Sequence, residues 1–116
     1  MVKALAGFDG EVYPVNPRAE TILGRRVYPA LADIPGIVDL VAVVLPPGPS
    51  IDVLGAAVAI GAGAALMVSG GFAETGDKGR ELQAAAVVVC RAGGVRLLGP
   101  NTSGFMAPAR KLFCTF

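Results

Sequence analysis

Histidine and tryptophan are absent from the 116 residues of this chain, and cysteine occurs only at Cys90 and Cys114. Without histidine the chain has no imidazole acid or base, no histidine metal ligand and no phosphohistidine. Two cysteines are too few for a disulfide framework or an all-cysteine zinc site, and they fit a reducing compartment such as the cytoplasm. A charge excess is also lacking, because ten Lys and Arg oppose nine Asp and Glu. We therefore expect no nucleic-acid partner and no anionic membrane surface.

The residues that are present are mostly apolar. They make up 53% of the sequence against 16% charged residues, which is the balance of one folded domain with a buried core. The uncharged stretch between Asp52 and Glu74 is long enough to raise the alternative of a membrane span. Glycines interrupt this stretch, and a helix followed by a buried parallel strand explains the same composition. We favour the helix and strand.

Apolar β-branched runs alternate with helix-forming segments along the chain. The segment 79–92 is ambiguous, because its Val-rich end is typical of a strand while the longer Ala-rich window, closed by two glycines, favours a helix; we predict a helix. A helical turn that ends at Gly24 is also expected. Strands that alternate with helices imply a parallel sheet with right-handed crossovers. The predicted strands are 11–15, 38–45, 66–69 and 95–98, and the predicted helices are 50–60 and 79–92.

Loops rich in Gly, Pro and Asn follow the predicted strands. In an open parallel sheet, ligands bind outside the carboxyl ends of the strands, where these loops would meet. The loops combine close backbone approach with Asn, Ser, Thr and Arg side chains, and they hold no nucleophile–base pair. This predicts a binding cleft for a large polar ligand such as a nucleotide; alternatively, Gly and Pro merely shape turns. The loops are 16–18, 46–48, 69–74 and 99–104.

Five segments occur in a recognisable order. They read Val-Tyr-Pro-Val-Asn-Pro-Arg at 12–18, Val-Tyr-Pro-Ala-Leu-Ala-Asp-Ile-Pro at 27–35, Val-Asp-Leu-Val-Ala-Val-Val-Leu-Pro-Pro at 38–47, Ser-Gly-Gly-Phe-Ala-Glu-Thr-Gly at 69–76 and Val-Arg-Leu-Leu-Gly-Pro-Asn-Thr-Ser-Gly at 95–104. The series resembles the CoA-binding domain of NDP-forming acyl-CoA synthetases, of the ADP-forming acetate–CoA ligase type. That group belongs to the superfamily of the succinyl-CoA synthetase α subunit. The resemblance extends from about residue 7 to residue 116.

The resemblance implies a Rossmann-like α/β fold, a parallel sheet with flanking helices, that holds CoA at its strand ends. It implies no catalytic residue and no metal ligand in this chain. ATP and Mg²⁺ would act in partner domains, in cis or in a separate subunit: a succinyl-CoA-ligase-like domain with the catalytic histidine, and an ATP-grasp domain. The CoA-binding residues that it implies are Asn16, Pro17, Arg18, Leu45, Pro46, Pro47, Ser69, Gly70, Gly71, Glu74, Gly99, Pro100 and Asn101.

The sequence departs from the family pattern in several places. The family begins with a strand and a Gly-rich turn that cradles phosphates at a helix N-terminus; this segment is absent here, and residues 1–6 look like the tail of the following helix. We expect its absence to leave unpaired strand edges and a marginally stable, weakly CoA-binding or aggregation-prone chain. Arg18 replaces the usual Lys, Gly70 the usual Ala and Thr102 a frequent Cys.

Several single residues have two interpretations at this stage. Arg18 could pair with a CoA phosphate or be a surface charge. Glu74 could orient a ligand or a partner loop, or be an N-terminal charge on the next helix. Asn101 could donate to a phosphate or carboxylate, or form an Asx turn in its own loop. Cys90 is expected in the core of a helix, and Cys114 in a strand that pairs with a continuation of the chain.

Three functions are compatible with these observations. The leading hypothesis is the CoA-binding module of an acid–thiol ligase, inactive on its own. In the family, ATP phosphorylates a histidine, the carboxylic acid becomes an acyl phosphate, and the CoA thiol attacks it. The first alternative is a non-catalytic domain that senses CoA or a nucleotide, for example in a protein acetyltransferase fusion. The second is a nicotinamide-dinucleotide domain, which is disfavoured because no strand leads into Gly-x-Gly-x-x-Gly.

Overall fold

The computed structural model describes residues 1–115. The chain divides into two compact units, one from Ile37 to Thr102 and one that combines Met1–Gly36 with the segment from Ser103 onward. The strands and α-helices in chain order are β1 (Thr21–Ile22), β2 (Arg25–Arg26), β3 (Leu40–Val43), α1 (Pro47–Ala59), β4 (Ala64–Met67), α2 (Asp77–Ala92), β5 (Arg96–Leu98), β6 (Gly104–Ala107) and β7 (Leu112–Thr115).

The larger unit is a parallel sheet with two helices. Its strand order is β3-β4-β5, and Ala64 of β4 pairs with Leu40 of β3 and with Arg96 of β5. α1 connects the first two strands, α2 connects the last two, and the helices pack against each other. The predicted α/β class with a parallel sheet is therefore confirmed for this unit.

The central strand explains why the apolar run in the middle of the sequence does not need a membrane. Val41 and Val43 of β3 are buried and lie opposite Ala65 and Met67 of β4, so these four side chains share one face of the sheet. Leu66, on the other face of β4, is also fully buried. A parallel strand that is covered on both faces reads as a continuous apolar run. Within residues 1–115, no helix is long and apolar enough to cross a bilayer.

Both predicted helices form, with earlier starts than predicted. α1 begins at Pro47 instead of residue 50, and α2 begins at Asp77 instead of residue 79. Leu54 and Ala57 of α1 are buried, as is Cys90 of α2, which places an apolar stripe of each helix on the core. The ambiguous segment is a helix whose buried residues, Gly79, Ala86 and Cys90, recur at helical spacing, while Val88 on another face is exposed.

The predicted strand at 11–15 is wrong. Within this segment the smaller unit has a single parallel bridge, between Val15 and Tyr28. The Asn16 N–H donates to the Tyr28 carbonyl at 3.0 Å, and the Tyr28 N–H donates to the Pro14 carbonyl at 2.9 Å. Proline 14 lacks an N–H and limits a longer ladder at this point. Residues 2–7 form turns and not the tail of a helix.

The predicted helical turn before Gly24 is also wrong. β1 and β2 form an antiparallel hairpin in which Ile22 pairs with Arg25. The two residues between them, Leu23 and Gly24, have φ of +49° and +74°. Two successive positive φ values are the signature of the hairpin turn that matches the natural strand twist. Leucine is rare in this conformation, which is why the sequence did not indicate a hairpin.

The predicted C-terminal strand forms, and it has a partner that the sequence did not indicate. Cys114 of β7 pairs with Phe105 of β6 in an antiparallel hairpin, so β7 finds its partner inside the chain. Gly104 begins β6 with φ +93°, and a Cβ there would collide with the Cys114 carbonyl. Glycine at this position therefore lets the two strands approach each other.

Candidate functional site

The loops that follow β3, β4 and β5 meet at one edge of the parallel sheet. The Asn101 N–H donates to the Ser69 carbonyl at 3.0 Å. A Cβ at Gly70 would lie 3.6 Å from Asn101 Oδ1, and a Cβ at Gly71 would lie 2.7 Å from Pro47 Cγ. We call this group the strand-end cluster; it consists of residues 45–47, 69–74 and 99–101.

The Glu74 side chain stabilises the second of these loops through hydrogen bonds within the loop. Its Oε1 accepts hydrogen bonds from the Gly71 N–H at 2.5 Å and the Phe72 N–H at 3.2 Å. Hydrogen bonds from the backbone N–H groups of Glu74 itself and of Gly71 hold the pKa of this carboxyl below its ordinary value; burial opposes them, and the Phe72 N–H adds a lesser lowering effect. The carboxylate thus occupies the loop amides that an anionic ligand could otherwise use.

The same loop is anchored to the start of α2. Gly79 is buried, and a Cβ there would collide with the Phe72 carbonyl oxygen and Thr75 Oγ1. Thr75 Oγ1 donates to the Phe72 carbonyl at 2.8 Å, and Gln83 Oε1 accepts from the Ala73 N–H at 3.3 Å. These contacts fix the shape of the loop on a rigid helix.

Ser50 holds the loop after β3. It is fully buried, and its Oγ lies 2.9 Å from both the Leu45 and the Pro46 carbonyl oxygens. Its own N–H donates to the Pro46 carbonyl at 3.0 Å. A buried hydroxyl of this kind ties the strand end to the first turn of α1.

The N-terminus of α1 is poor in hydrogen-bond donors. Pro47 and Pro49 lie in the first turn and lack an N–H, so Gly48 supplies the free amide among the first three residues of the helix. Anions bind helix N-termini through such amides. This end of α1 therefore offers an apolar proline surface to a ligand.

The loop after β5 depends on one glycine. Gly99 has φ +104°, and a Cβ there would collide with the Met67 carbonyl oxygen. Asn101 has φ +53°, a conformation that asparagine tolerates better than most residues. The exposed Asn101 thus follows a backbone that packs closely on β4, with Pro100 between them.

Asn16, Pro17 and Arg18 belong to the smaller unit, where they line an open depression of about 440 Å³. Asn16 Oδ1 accepts a hydrogen bond from the Arg18 N–H at 2.8 Å, which is an Asx-type turn. The remaining lining residues are Ala19, Glu20, Arg26, Val27 and Pro29.

Sequence reasoning missed Arg26. The pair Arg25-Arg26 is too short to indicate a nucleic-acid patch, and nothing in the sequence shows that the second arginine returns to the Asn16 turn. The guanidinium carbon of Arg26 lies 5.2 Å from the centre of the Tyr28 ring. Tyr28 in turn packs edge to face on Tyr13, with ring centres 5.8 Å apart. These tyrosines therefore support the depression by packing.

The described residues offer binding groups in place of reactive ones. Residues 1–115 contain no group of three or more Cys, Asp or Glu side chains that could hold a metal ion. The thiols of Cys90 and Cys114 are buried, and burial raises the pKa of each, which disfavours the thiolate nucleophile. The larger unit by itself offers backbone groups and proline surface to a polar ligand, and the smaller unit by itself offers arginine.

Known proteins share this sequence and this fold. Residues 1–108 match the family described as the CoA binding domain. The chain is 38% identical over 100 residues to acetate–CoA ligase (ADP-forming) II of Archaeoglobus fulgidus, covering 86% of this chain and 15% of that protein. It is 35% identical over 107 residues to the α subunit of acetate–CoA ligase (ADP-forming) II of Pyrococcus furiosus, covering 92% of this chain and 23% of that protein.

Solved structures agree. PH0766 from Pyrococcus horikoshii superimposes with a TM-score of 0.96 at 33% identity, over 99% of this chain and 27% of that one. The dinucleotide forming acetyl-coenzyme A synthetase 1 of Ca. Korarchaeum cryptofilum gives 0.94 at 32% identity, over 98% of this chain and 25% of that one. The chain therefore belongs to the CoA-binding domain family, and it spans between 15% and 27% of the lengths of these relatives.

Proposed function

We propose that this chain binds CoA and supplies the CoA platform of an NDP-forming acyl-CoA synthetase. The observation that supports this most strongly is the strand-end cluster, in which three loops of the CoA-binding fold meet and are held by Ser50, Glu74 and Gly79. Preorganised loops of this kind reduce the ordering cost of binding a flexible ligand.

Each predicted site residue has a role in this proposal. Leu45, Pro46 and Pro47 offer apolar surface to the uncharged parts of CoA. Gly70, Gly99 and Pro100 set the backbone shape, and the exposed Asn101 supplies a polar contact. The Asn16–Arg18 turn offers a cation for a phosphate, since guanidinium groups match phosphate oxygens in pairs. Ser69, Gly71 and Glu74 hold the central loop in place.

The chemistry of the ligase requires more than this chain contains. A phosphorylated histidine passes its phosphoryl group to the carboxylic acid in the family, and the sequence here has no histidine. We therefore propose that a histidine-bearing domain and an ATP-grasp domain, in cis or in another subunit, carry out those steps. The contribution of this chain is to hold CoA so that its thiol can attack the acyl phosphate.

Two measurements test the proposal. Calorimetric titration of the purified chain should show weak, saturable binding of CoA and none of NAD. An assay with acetate, ATP, Mg²⁺ and CoA should give no acetyl-CoA with this chain alone. The absence of CoA binding, or equal binding of NAD, would refute the platform. Acetyl-CoA formation by the chain alone would refute the proposal that partner domains carry out the phosphoryl-transfer steps. CoA binding without acetyl-CoA synthesis, even when the partner domains are present, would favour a domain that senses CoA.

A further inference from the structure

The depression in the smaller unit has two cationic side chains and one anionic side chain on its lining. Arg18 and Arg26 are the cations, and Glu20 is the anion. The lining thus has a formal net charge of +1 with both arginines and of zero with one of them. Each arginine is consequently needed for the depression to attract an anion.

The β1–β2 hairpin delivers Arg26 to this depression. The tight turn at Leu23 and Gly24 reverses the chain, and the Val27 N–H donates to the Glu20 carbonyl at 3.0 Å. The Tyr28 ring lies under the Arg26 guanidinium at 5.2 Å, a cation–π contact that limits the freedom of the side chain. Arg25 precedes it in the same strand and is not part of the lining, as expected when successive side chains of a strand point to opposite faces.

The Asn16 turn delivers Arg18 to the same depression. Asn16 Oδ1 binds the Arg18 N–H at 2.8 Å, while the Asn16 N–H binds the Tyr28 carbonyl at 3.0 Å. The backbone of the turn is thereby joined to the residue whose ring supports Arg26. One small network thus holds the backbone at Arg18 and the guanidinium of Arg26.

We propose that Arg18 and Arg26 together bind the 3′-phosphate of CoA and that Arg26 is a specificity-determining residue for it. This proposal rests on the proposed function. A phosphomonoester carries close to two negative charges at pH 7, whereas each phosphate of the CoA pyrophosphate carries one. Two guanidinium groups beside a carboxylate match the doubly charged group best, and each can donate two parallel hydrogen bonds to it.

The test compares CoA with 3′-dephospho-CoA on the purified chain by calorimetry. Arg26→Gln should weaken binding of CoA about tenfold or more, the usual effect of losing hydrogen bonds to a charged group, and should leave 3′-dephospho-CoA nearly unchanged. Arg25→Gln, which removes the same charge one residue away, should have little effect on either ligand. Arg26→Lys should retain part of the preference for CoA, because it keeps the charge and loses the paired donors.

The affinities of the variants for the two ligands decide whether Arg18 and Arg26 form a subsite for the 3′-phosphate. Equal weakening of both ligands by Arg26→Gln would overturn the phosphate subsite while leaving CoA binding in place. An Arg25→Gln variant as impaired as Arg26→Gln would show a general charge effect and would also overturn it. A loss of the preference for CoA in Arg26→Gln, with an unchanged unfolding midpoint in urea, would support it. If neither ligand binds the unmodified chain, the proposed function fails first and the subsite fails with it.

Discussion

Replacing Gly71 with alanine perturbs the strand-end cluster where the loops after β3 and β4 approach each other. Gly71 has φ +98°, and an ideal Cβ there would lie 2.7 Å from Pro47 Cγ. A left-handed backbone costs an alanine roughly 1–2 kcal/mol, and forcing an extra methyl group into a packed contact costs about 1–3 kcal/mol. We therefore expect Gly71→Ala to lower the free energy of unfolding by about 2–5 kcal/mol. The displaced loop should also weaken CoA binding.

Gly61 provides the matched control in the same unit. It has φ +72°, and a Cβ there would have nothing within 4 Å, so Gly61→Ala should show the backbone cost alone, roughly 1–2 kcal/mol. Urea unfolding of both variants, followed by calorimetric titration with CoA, measures the two effects. Equal destabilisation by the two substitutions, with unchanged CoA affinity in Gly71→Ala, would refute the close approach of the loops after β3 and β4.

Three further experiments test the hydrogen bonds of Ser50, the hydrogen bonds of Glu74 and the burial of the two cysteine thiols. Ser50→Ala removes a buried hydroxyl that contacts two carbonyls and should cost about 1–2 kcal/mol in urea unfolding, whereas Ser103→Ala, at an exposed position, should stay within about 0.5 kcal/mol. The pKa of Glu74 is lowered in the fold, so its carboxylate stabilises the protein above the ordinary value of 4.5 and loses that effect as the pH falls through the lower folded pKa. Glu74→Gln should therefore lower the free energy of unfolding at pH 7 and make that free energy fall less on acidification. An unchanged pH profile of stability would contradict the role of Glu74 in holding its loop. The thiols of Cys90 and Cys114, both buried with a raised pKa, should react with a disulfide reagent at pH 8 far more slowly in the native protein than in guanidinium chloride, and equally fast reaction would contradict their burial.

The parallel sheet and its helices could be predicted from the sequence because their signals are local. Buried parallel strands read as apolar runs, and the Ala-rich segment before Gly93 is long enough for a helix and too long for an ordinary strand. α1 begins three residues before the predicted start, since the first helical turn accepts Pro47 as well as Pro49.

The two hairpins could not be predicted, because their turns contain unusual residues. Leu23 and Lys111 both have φ +49°, where asparagine or glycine would be the recognisable signal. Missing the first hairpin also meant missing Arg26, since its place beside Arg18 depends on the chain reversing at Gly24. The hydrogen bonds from the Gly71 and Phe72 amides to Glu74 could not be predicted either, because they depend on the folded shape of the loop and not on residue type.

The most direct test of CoA binding at the predicted residues is a titration followed by amide NMR. Addition of CoA to the isotopically labelled chain should shift the amide signals of Gly70, Gly71 and Asn101 in the strand-end cluster, together with those of Asn16 and Arg18. The amides of the β6–β7 hairpin, where no predicted site residue lies, should stay unchanged. Shifts confined to that hairpin, or no shifts at saturating CoA, would contradict the account.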